Sequence, residues 1–216
     1  MASPEPRILN VIDSFPVTPN MQRIVLGGSG LKGFPAGQSG GYVKLMFPVS
    51  QHARPELRTY TIRSQSETTL EIDFALHGLS NSQTSGDQPG PATRWAANAK
   101  AGQSIAIAGP GPSKPLPEGN GPFLMAGDMT ALPAISVNLA AMHDEAVGDA
   151  VILIQDEADR QDLVKPVGVA IHWIIDPDSG GNPSLLADAV RKLEAIHNLA
   201  YAWVACEFEA MKLIRQ

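Results

Sequence analysis

Short runs of alternating apolar and polar residues fill the first half of the chain. They are rich in β-branched residues and bounded by Gly and Pro, which is typical of half-buried strands. In the clearest run Leu70, Ile72, Phe74 and Leu76 share one face. We predict six short antiparallel strands that form a small barrel, with one helix, Pro91 to Ala99, before the last strand. The predicted strands are Arg7 to Asp13, Met21 to Gly27, Tyr42 to Phe47, Leu57 to Ser64, Leu70 to Leu76 and Gln103 to Ala108.

A passage rich in Pro and Gly, Gly109 to Pro122, ends this pattern. Beyond it strands alternate with helices, and Val151 to Ile154 is apolar on both faces, which is typical of a parallel sheet covered by helices. We therefore predict a barrel domain over residues 1–118 and a nucleotide-binding α/β domain over residues 119–216. Its predicted strands are Phe123 to Ala126, Val151 to Ile154, Ala170 to Ile175 and Tyr201 to Cys206. Its predicted helices are Leu132 to Asp144, Ser184 to His197 and Glu207 to Arg215. Asn182 is the predicted N-cap of the helix that begins at Ser184, and Pro183 is its first-turn proline.

The segment from Arg58 to Arg63 carries the sharpest local signal. Strand alternation places Arg58, Tyr60 and Ile62 on one face. Because Arg binds phosphate through paired hydrogen bonds and Tyr stacks on flat rings, this face suits a dinucleotide cofactor. The alternative is an exposed strand with a surface Arg and a half-buried Tyr.

Two predicted helix starts offer backbone N–H groups to an anion. Gly90 and Pro91 begin the first helix, where Thr93 adds a hydroxyl group, and Gly127 follows the first strand of the α/β domain. The alternative for the first is an ordinary helix start with Trp95 as a core residue. The second lacks the GxGxxG pattern and is a weak motif by itself.

Composition narrows the function further. The net charge of −6 and the lack of Lys/Arg runs exclude nucleic acid as the main partner. The five histidines show no paired spacing and there is a single cysteine, Cys206, so we expect neither a protein-bound metal nor a disulfide. No apolar stretch approaches a membrane span or a secretion signal, so we expect an unprocessed cytoplasmic protein.

Six segments in order, RTYTIR, DFALHG, GPATRWA, AGQSIAIAGPGPS, AGDMTALPAI and YAWVACEFEA, together with the opening RILNVIDSFPVTPNMQRIVLGG, give the chain a family resemblance. It resembles the siderophore-interacting proteins of the ferredoxin-reductase superfamily over nearly its whole length. The resemblance implies an FAD-binding barrel, an NAD(P)H-binding domain and an active site at their junction. It also implies a reductase that passes electrons from NADH or NADPH to a ferric siderophore, and we expect this protein to be a monomer.

The resemblance also assigns roles to residues. Arg58 would bind the FAD pyrophosphate, Tyr60 would stack on the flavin, and Thr61 would contact its reactive edge. Cys206 and Glu207 would lie beside the nicotinamide. Further FAD contacts are implied for Ile62, Asp73, Phe74, Leu76, His77, Gly90, Ala92, Thr93 and Trp95, and the nicotinamide-domain turn for Gly127, Asp128, Thr130 and Ala131.

Two positions depart from the family pattern: Met129 replaces a Glu, and Cys206 replaces a Gly. Cys206 is either a nicotinamide neighbour or a small buried residue. The acidic segment from Asp156 to Asp162 favours NADH, but Arg160 within it leaves the donor open. Lys44, Arg63 and Arg94 are the candidate substrate contacts. Two alternative functions remain open, a flavin reductase with a protein acceptor and a non-enzymatic module that binds flavin or siderophore.

Overall fold

The computed structural model describes residues 5–48, 55–78, 89–178, 182–193 and 198–215. The chain forms two compact units, Met1–Lys114 and Pro115–Gln216, each described here by itself. The predicted domain division after residue 118 remains a prediction. Within the described ranges, no helix combines the length and apolar character needed to cross a membrane.

One antiparallel sheet of seven strands forms the first unit. The strands are β1 (Arg7–Thr18), β2 (Met21–Gly27), β3 (Tyr42–Phe47), β4 (Glu56–Thr61), β5 (Ser64–Gln65), β6 (Thr69–Ala75) and β7 (Ser104–Gly111). Their order across the sheet is β4-β3-β7-β1-β2-β6-β5. The end strands β4 and β5 follow one another in the chain, so the sheet has to curl back on itself, as in a small barrel. The predicted antiparallel barrel is confirmed.

The strand predicted from Leu57 to Ser64 is two strands in the structure, so the sheet has seven strands instead of six. Between them the Ile62 N–H donates to the Gly41 carbonyl at 2.8 Å, and the Arg63 N–H donates to the Glu71 carbonyl at 2.8 Å. The chain thus changes its partner from β3 to β6. Alternation does not reveal this change, because both halves continue the same pattern.

Alternate residues of the strands fill the barrel core. Leu70, Ile72 and Phe74 of β6 are completely buried, on the face that the sequence predicted. Burying such a side chain contributes about 1.5–3 kcal/mol, so this face is a main source of stability. The helix α1 (Pro91–Asn98) packs on the same core through Ala96.

The elements of the second unit are β8 (Phe123–Gly127), α2 (Leu132–Ala141), β9 (Gly148–Ile154), β10 (Val169–Ile175), α3 (Ser184–Arg191), β11 (Tyr201–Ala205) and α4 (Phe208–Ile214). Its parallel sheet has the strand order β10-β9-β8-β11, which confirms the predicted α/β architecture. Asn182 accepts a hydrogen bond from the Ser184 N–H at 3.1 Å, so it caps α3 as predicted. The helix that begins at Leu132 ends earlier than predicted, and residues 194–197 of the predicted third helix lie outside the described residues.

The strand order of this sheet reverses beside β8. The chain runs from β8 through β9 to β10 in one direction and then returns to place β11 on the other side of β8. In open parallel sheets a ligand binds outside the carboxyl ends of the strands, at such a switch point. The residues that follow Gly127 and Ala205 therefore mark the candidate site of this unit.

Candidate functional site

Arg58 and Tyr60 project from the same face of β4. They pair directly with Leu45 and Val43 of β3, and opposed residues of an antiparallel pair share a face. Arg58 is exposed. Within the described residues its guanidinium donates to the Leu57 carbonyl at 3.1 Å and forms an ion pair with the Glu56 carboxylate, both in β4. Arg58 and Tyr60 therefore share one face of the strand, as the alternation of the sequence predicted.

Tyr60 lies at the edge of an aromatic cluster. Its ring centroid is 4.2 Å from that of Phe74, which in turn lies 5.6 Å from Trp95. Burial raises the pKa of Tyr60 to about 12, while the Arg58 charge acts in the opposite direction. The phenol is therefore neutral at physiological pH and offers a ring face and a hydroxyl group.

Trp95 has two surroundings. It packs on the core against Phe47 and Phe74, in line with its interpretation as a core residue. It also lines an open groove of about 570 Å³ together with Met46, Pro48 and Ile105. The groove is mostly apolar and suits a flat ring.

The start of α1 has backbone donors that make no hydrogen bond within the helix. Gly90 precedes the helix in an extended conformation and no side chain caps it. The first intrahelical bond runs from the Arg94 N–H to the Gly90 carbonyl at 3.0 Å. The N–H groups of Ala92 and Thr93 are thus not used within the helix and lie at its positive end.

Arg63 carries a buried donor that lacks a partner. Its Nε is buried, and no hydrogen-bond acceptor reaches it within the described part of the chain. Arg23, by contrast, is held by Asp73 at 2.6 and 2.8 Å and by Glu71 at 3.2 Å. A buried donor without an acceptor is costly, so Arg63 is the group here that most needs a ligand oxygen.

Asp73 and Lys44 lie away from the Tyr60 face, and Arg94 lies on α1. Asp73 is on the opposite face of β6 from Phe74, and its buried carboxylate is bound by Arg23, so its side chain does not line the same space. Lys44 pairs with Thr59, on the other face of the sheet from Arg58. Arg94 is exposed and donates to the Pro89 carbonyl.

The other predicted site residues of the first unit lie at the ends of β4 and β6 and are half-buried or buried. Thr61 is the half-buried last residue of β4, and Ile62 after it is completely buried. Leu76 and His77 follow β6 and are half-buried, and the Leu76 N–H donates to the Asn20 carbonyl at 2.9 Å.

In the second unit, the turn after β8 satisfies its own donors. Asp128 Oδ1 accepts the Thr130 N–H at 2.8 Å and its hydroxyl group at 2.5 Å. The Asp128 carbonyl accepts the N–H groups of Ala131 and Leu132 at 3.0 and 3.1 Å. These three amides are therefore engaged within the turn, and an anion bound there would face the Asp128 carboxylate. The anion site at this helix start remains a prediction.

Gly127 permits close packing at this turn. A Cβ atom there would lie 2.7 Å from both Ala131 Cβ and the Ala205 carbonyl oxygen. Met129, which departs from the family pattern, is buried. Gly127 thus holds α2 and β11 close to the end of β8.

Cys206 and Glu207 follow β11 at the same sheet edge as Asp128, because Ala205 pairs with Gly127. Burial, with smaller contributions from Asp128 and Glu207, raises the pKa of Cys206 to about 11. Cys206 is therefore a neutral thiol at physiological pH. Glu207 accepts the Glu209 N–H at 2.7 Å and caps α4.

Gln155 and Gln161 were not among the site residues predicted from the sequence. Gln155 Oε1 and Gln161 Nε2 are buried and have no partner within the described ranges. Gln155 comes directly after β9. A polar residue at the carboxyl end of an apolar parallel strand is a signal that could have identified it.

Comparisons with known proteins agree with this geometry. The model of the siderophore-interacting FAD-binding domain matches residues 10–57 and 49–114, and that of the siderophore-interacting protein matches residues 121–216. The chain is 30% identical to the ferric vibriobactin reductase ViuB of Vibrio cholerae, over 98% of this chain and 82% of the relative. It is 29% identical to the NADPH-dependent ferric-chelate reductase of Escherichia coli, over 78% of this chain and 70% of the relative.

Solved structures give the same result. The siderophore-interacting protein SipS from Aeromonas hydrophila is 32% identical with a TM-score of 0.78, and the match covers 98% of this chain and 85% of SipS. The ferredoxin-NADP+ reductase of Plasmodium falciparum, H286L mutant, is 15% identical with a TM-score of 0.73 over 100% of this chain and 91% of that one, which shows a shared fold. The chain therefore belongs to the siderophore-interacting protein family and contains its FAD-binding domain.

Proposed function

We propose that this protein is a cytoplasmic FAD-dependent reductase that passes electrons from NADH or NADPH to a ferric siderophore and releases Fe(II). The family and the ferric reductases among the relatives support the class of reaction. The observation that carries the proposal is the common face of Arg58 and Tyr60. Bound FAD would supply the step between two-electron hydride chemistry and one-electron reduction of Fe(III).

The groups of the first unit fit a flavin dinucleotide. The exposed Arg58 can exchange Glu56 for the pyrophosphate, because an exposed ion pair is worth only about 0–1 kcal/mol. The unused N–H groups of Ala92 and Thr93 add donors for a phosphate, and the Arg63 Nε needs an acceptor. Tyr60 offers a ring face, and the groove beside Trp95 can take the adenine.

The roles of other first-unit residues follow from their placement. Thr61, Ile62, Phe74, Leu76, His77 and Gly90 would shape or support the flavin surface, most of them by packing. Asp73 would act through Arg23, by holding β2 and β6 together.

In the second unit we place the nicotinamide at the switch point. Gly127 keeps the sheet edge free of a side chain, and the Asp128–Ala131 turn holds its shape through its own hydrogen bonds. Cys206 would present a neutral thiol and Glu207 a carboxylate beside the ring. Neither is required to transfer a proton, because reduction of the metal itself loosens the siderophore.

For the substrate, Arg63 and Arg94 are the remaining cationic candidates on the first unit. Of the three candidate substrate contacts, Lys44 has the least support, because it lies on the opposite face of the sheet from Tyr60. An anionic siderophore would be attracted by these local charges even though the net charge of the chain is −6.

The test uses the purified protein reconstituted with FAD under anaerobic conditions. We expect NADH or NADPH to bleach the flavin absorbance, and a ferric siderophore to restore it while a ferrous chelator traps Fe(II). Reoxidation by a ferredoxin but not by a siderophore would instead support a protein acceptor. Bound flavin that neither nucleotide bleaches but dithionite does would point to a non-enzymatic module, and a protein that takes up no FAD would overturn the proposal.

A further inference from the structure

We propose that the nucleotide site of the second unit selects NADH over NADPH, and that the segment from Gln155 to Arg160 makes this selection. The inference rests on the proposed function, because it concerns the electron donor of that reaction. It depends on three observations: where this segment lies, how its carboxylates are held, and what its cation contacts.

The segment lies where a dinucleotide-binding sheet reads the adenosine ribose. β9 runs parallel to β8 with Ile152 paired to Gly127, so both strands end at the same edge. In such folds an acidic residue beyond the first strand, turn and helix binds the ribose 2′-OH, and an Arg nearby accommodates a 2′-phosphate. Here β9 ends at Ile154 and Asp156 follows.

The carboxylates of the segment are fixed in place. Residues Glu157–Asp159 form a single 3₁₀ turn, which Asp156 caps by accepting the Ala158 N–H at 2.8 Å. Asp159 is completely buried and accepts the Asp156 N–H at 3.0 Å. This reciprocal pair holds the exposed Asp156 carboxylate at the strand end, where it can accept a hydrogen bond from a ribose hydroxyl group.

The cation of the segment is already engaged by an acid of the same turn. Arg160 Nε lies 2.8 Å from Glu157 Oε1. With Glu157 neutralising Arg160, the exposed Asp156 carboxylate leaves the end of β9 negative. A 2′-phosphate adds about two further negative charges, so it is repelled where a 2′-OH is bound.

The other cations of the second unit are held elsewhere. Lys165 donates to the Val169 carbonyl at 2.6 Å, at the amino end of β10. Arg191 is paired with Asp188 at 3.1 Å, and Lys212 with Glu209 at 2.8 Å. Lys192 follows α3, which connects β10 to β11 and therefore runs back toward the amino edge of the sheet. Arg215 follows α4, whose last turn lies beside the end of α3, where Arg191 donates to the Leu213 carbonyl at 2.6 Å. Among the described cations of the second unit, Arg160 is thus the one that lies in the turn after β9.

Gln155 and Gln161 border the acidic turn with neutral groups. Their buried amide atoms, an acceptor and a donor, have no partners within the described residues. Amides satisfy hydroxyl groups and ring nitrogens but do not offset a phosphate charge. They therefore add capacity for a ribose or adenine without adding capacity for a 2′-phosphate.

The test is titration calorimetry of the FAD-loaded protein with NAD⁺ and with NADP⁺ at low ionic strength. We expect NAD⁺ to bind about tenfold more tightly, and the difference to narrow as salt screens the carboxylates. Glu157→Gln, which releases Arg160 and removes one negative charge, should raise the NADP⁺ affinity about three- to tenfold and leave the NAD⁺ affinity nearly unchanged. Arg160→Gln should weaken NADP⁺ further.

Glu209→Gln is the matched control, because it breaks an exposed ion pair of the same spacing and the same 2.8 Å distance at α4. It should leave the ratio of the two affinities unaltered. Equal or tighter binding of NADP⁺ by the parent protein, or a Glu157→Gln variant with an unaltered ratio, overturns the inference while both nucleotides still bleach the flavin. If neither nucleotide binds or bleaches the flavin, the proposed function fails and this inference with it.

Discussion

Two arginines show how the surroundings of a guanidinium decide its use. Arg23 is half-buried and bound by Asp73 and Glu71 across two strands. Arg58 is exposed, and the hydrogen bond and ion pair that the structure gives its guanidinium go to Leu57 and Glu56 of its own strand. A phosphate can displace the Glu56 contact of Arg58 at little cost, whereas the buried Asp73 keeps Arg23 in place.

At this scale we predict that Arg58→Gln weakens FAD binding about 10- to 100-fold, because it removes a charge-assisted pair of hydrogen bonds to phosphate. Flavin fluorescence during titration measures the dissociation constant. Lys100→Gln, at an exposed position after α1, is the control that should leave it unchanged. A variant that binds FAD as tightly as the parent would remove Arg58 from the site.

Cys206 gives a second residue-scale prediction. Since its pKa is raised to about 11, its thiolate fraction at pH 8 is far below that of a free thiol. Alkylation by iodoacetamide should be about 10- to 100-fold slower than for free cysteine and should still rise steadily between pH 7 and 9. The chain has one cysteine, so mass spectrometry reads the rate directly. A rate that begins to level off near pH 9, as expected of a thiol with an ordinary pKa of about 8.5, would contradict the raised pKa.

At the scale of elements, the Arg23–Asp73 pair ties β2 to β6. The Asp73 side chain is 3% exposed, so its removal leaves the Arg23 guanidinium poorly compensated. We predict that Asp73→Ala lowers the free energy of unfolding by about 2–4 kcal/mol, as measured by urea denaturation. Glu71→Gln, which removes the more exposed partner, should cost less than about 1 kcal/mol.

The same variant separates two roles for Asp73. If its role is structural, the folded Asp73→Ala protein binds FAD with the affinity of the parent. A specific loss of FAD affinity in folded protein would instead return Asp73 to the flavin surface that the family resemblance implied.

At the scale of the whole molecule, the groups proposed to bind FAD all belong to the first unit, and those proposed for the pyridine nucleotide all belong to the second. Each unit has a hydrophobic core of its own. We predict that a fragment of residues 1–114 folds, binds FAD and is not reduced by NADH. Circular dichroism and flavin absorbance measure the two properties. A folded fragment that takes up no FAD would show that the second unit supplies part of the flavin site.

Whether a feature could be predicted from the sequence depends on how far apart along the chain the interacting residues lie. The faces of β4 and β6 and the Asn182 cap depend on residues a few positions apart, so alternation and capping patterns predicted them. The split after Thr61 and the Arg23–Asp73 pair depend on which strand lies beside which. No local pattern carries that information, and both were absent from the sequence prediction.

The sequence by itself determined the architecture of both halves, the family, and the common face of Arg58 and Tyr60. Strand periodicity and the order of motifs can be read along the chain without knowing which segments come into contact. Tertiary structure decided which charged groups are available. Folding brings Asp73 against Arg23, turns the N–H groups after Asp128 back on that residue, and leaves Arg63 with a buried donor. Whether a charge is paired depends on neighbours distant in sequence and on the loss of water around it, and both arise only when the chain is folded.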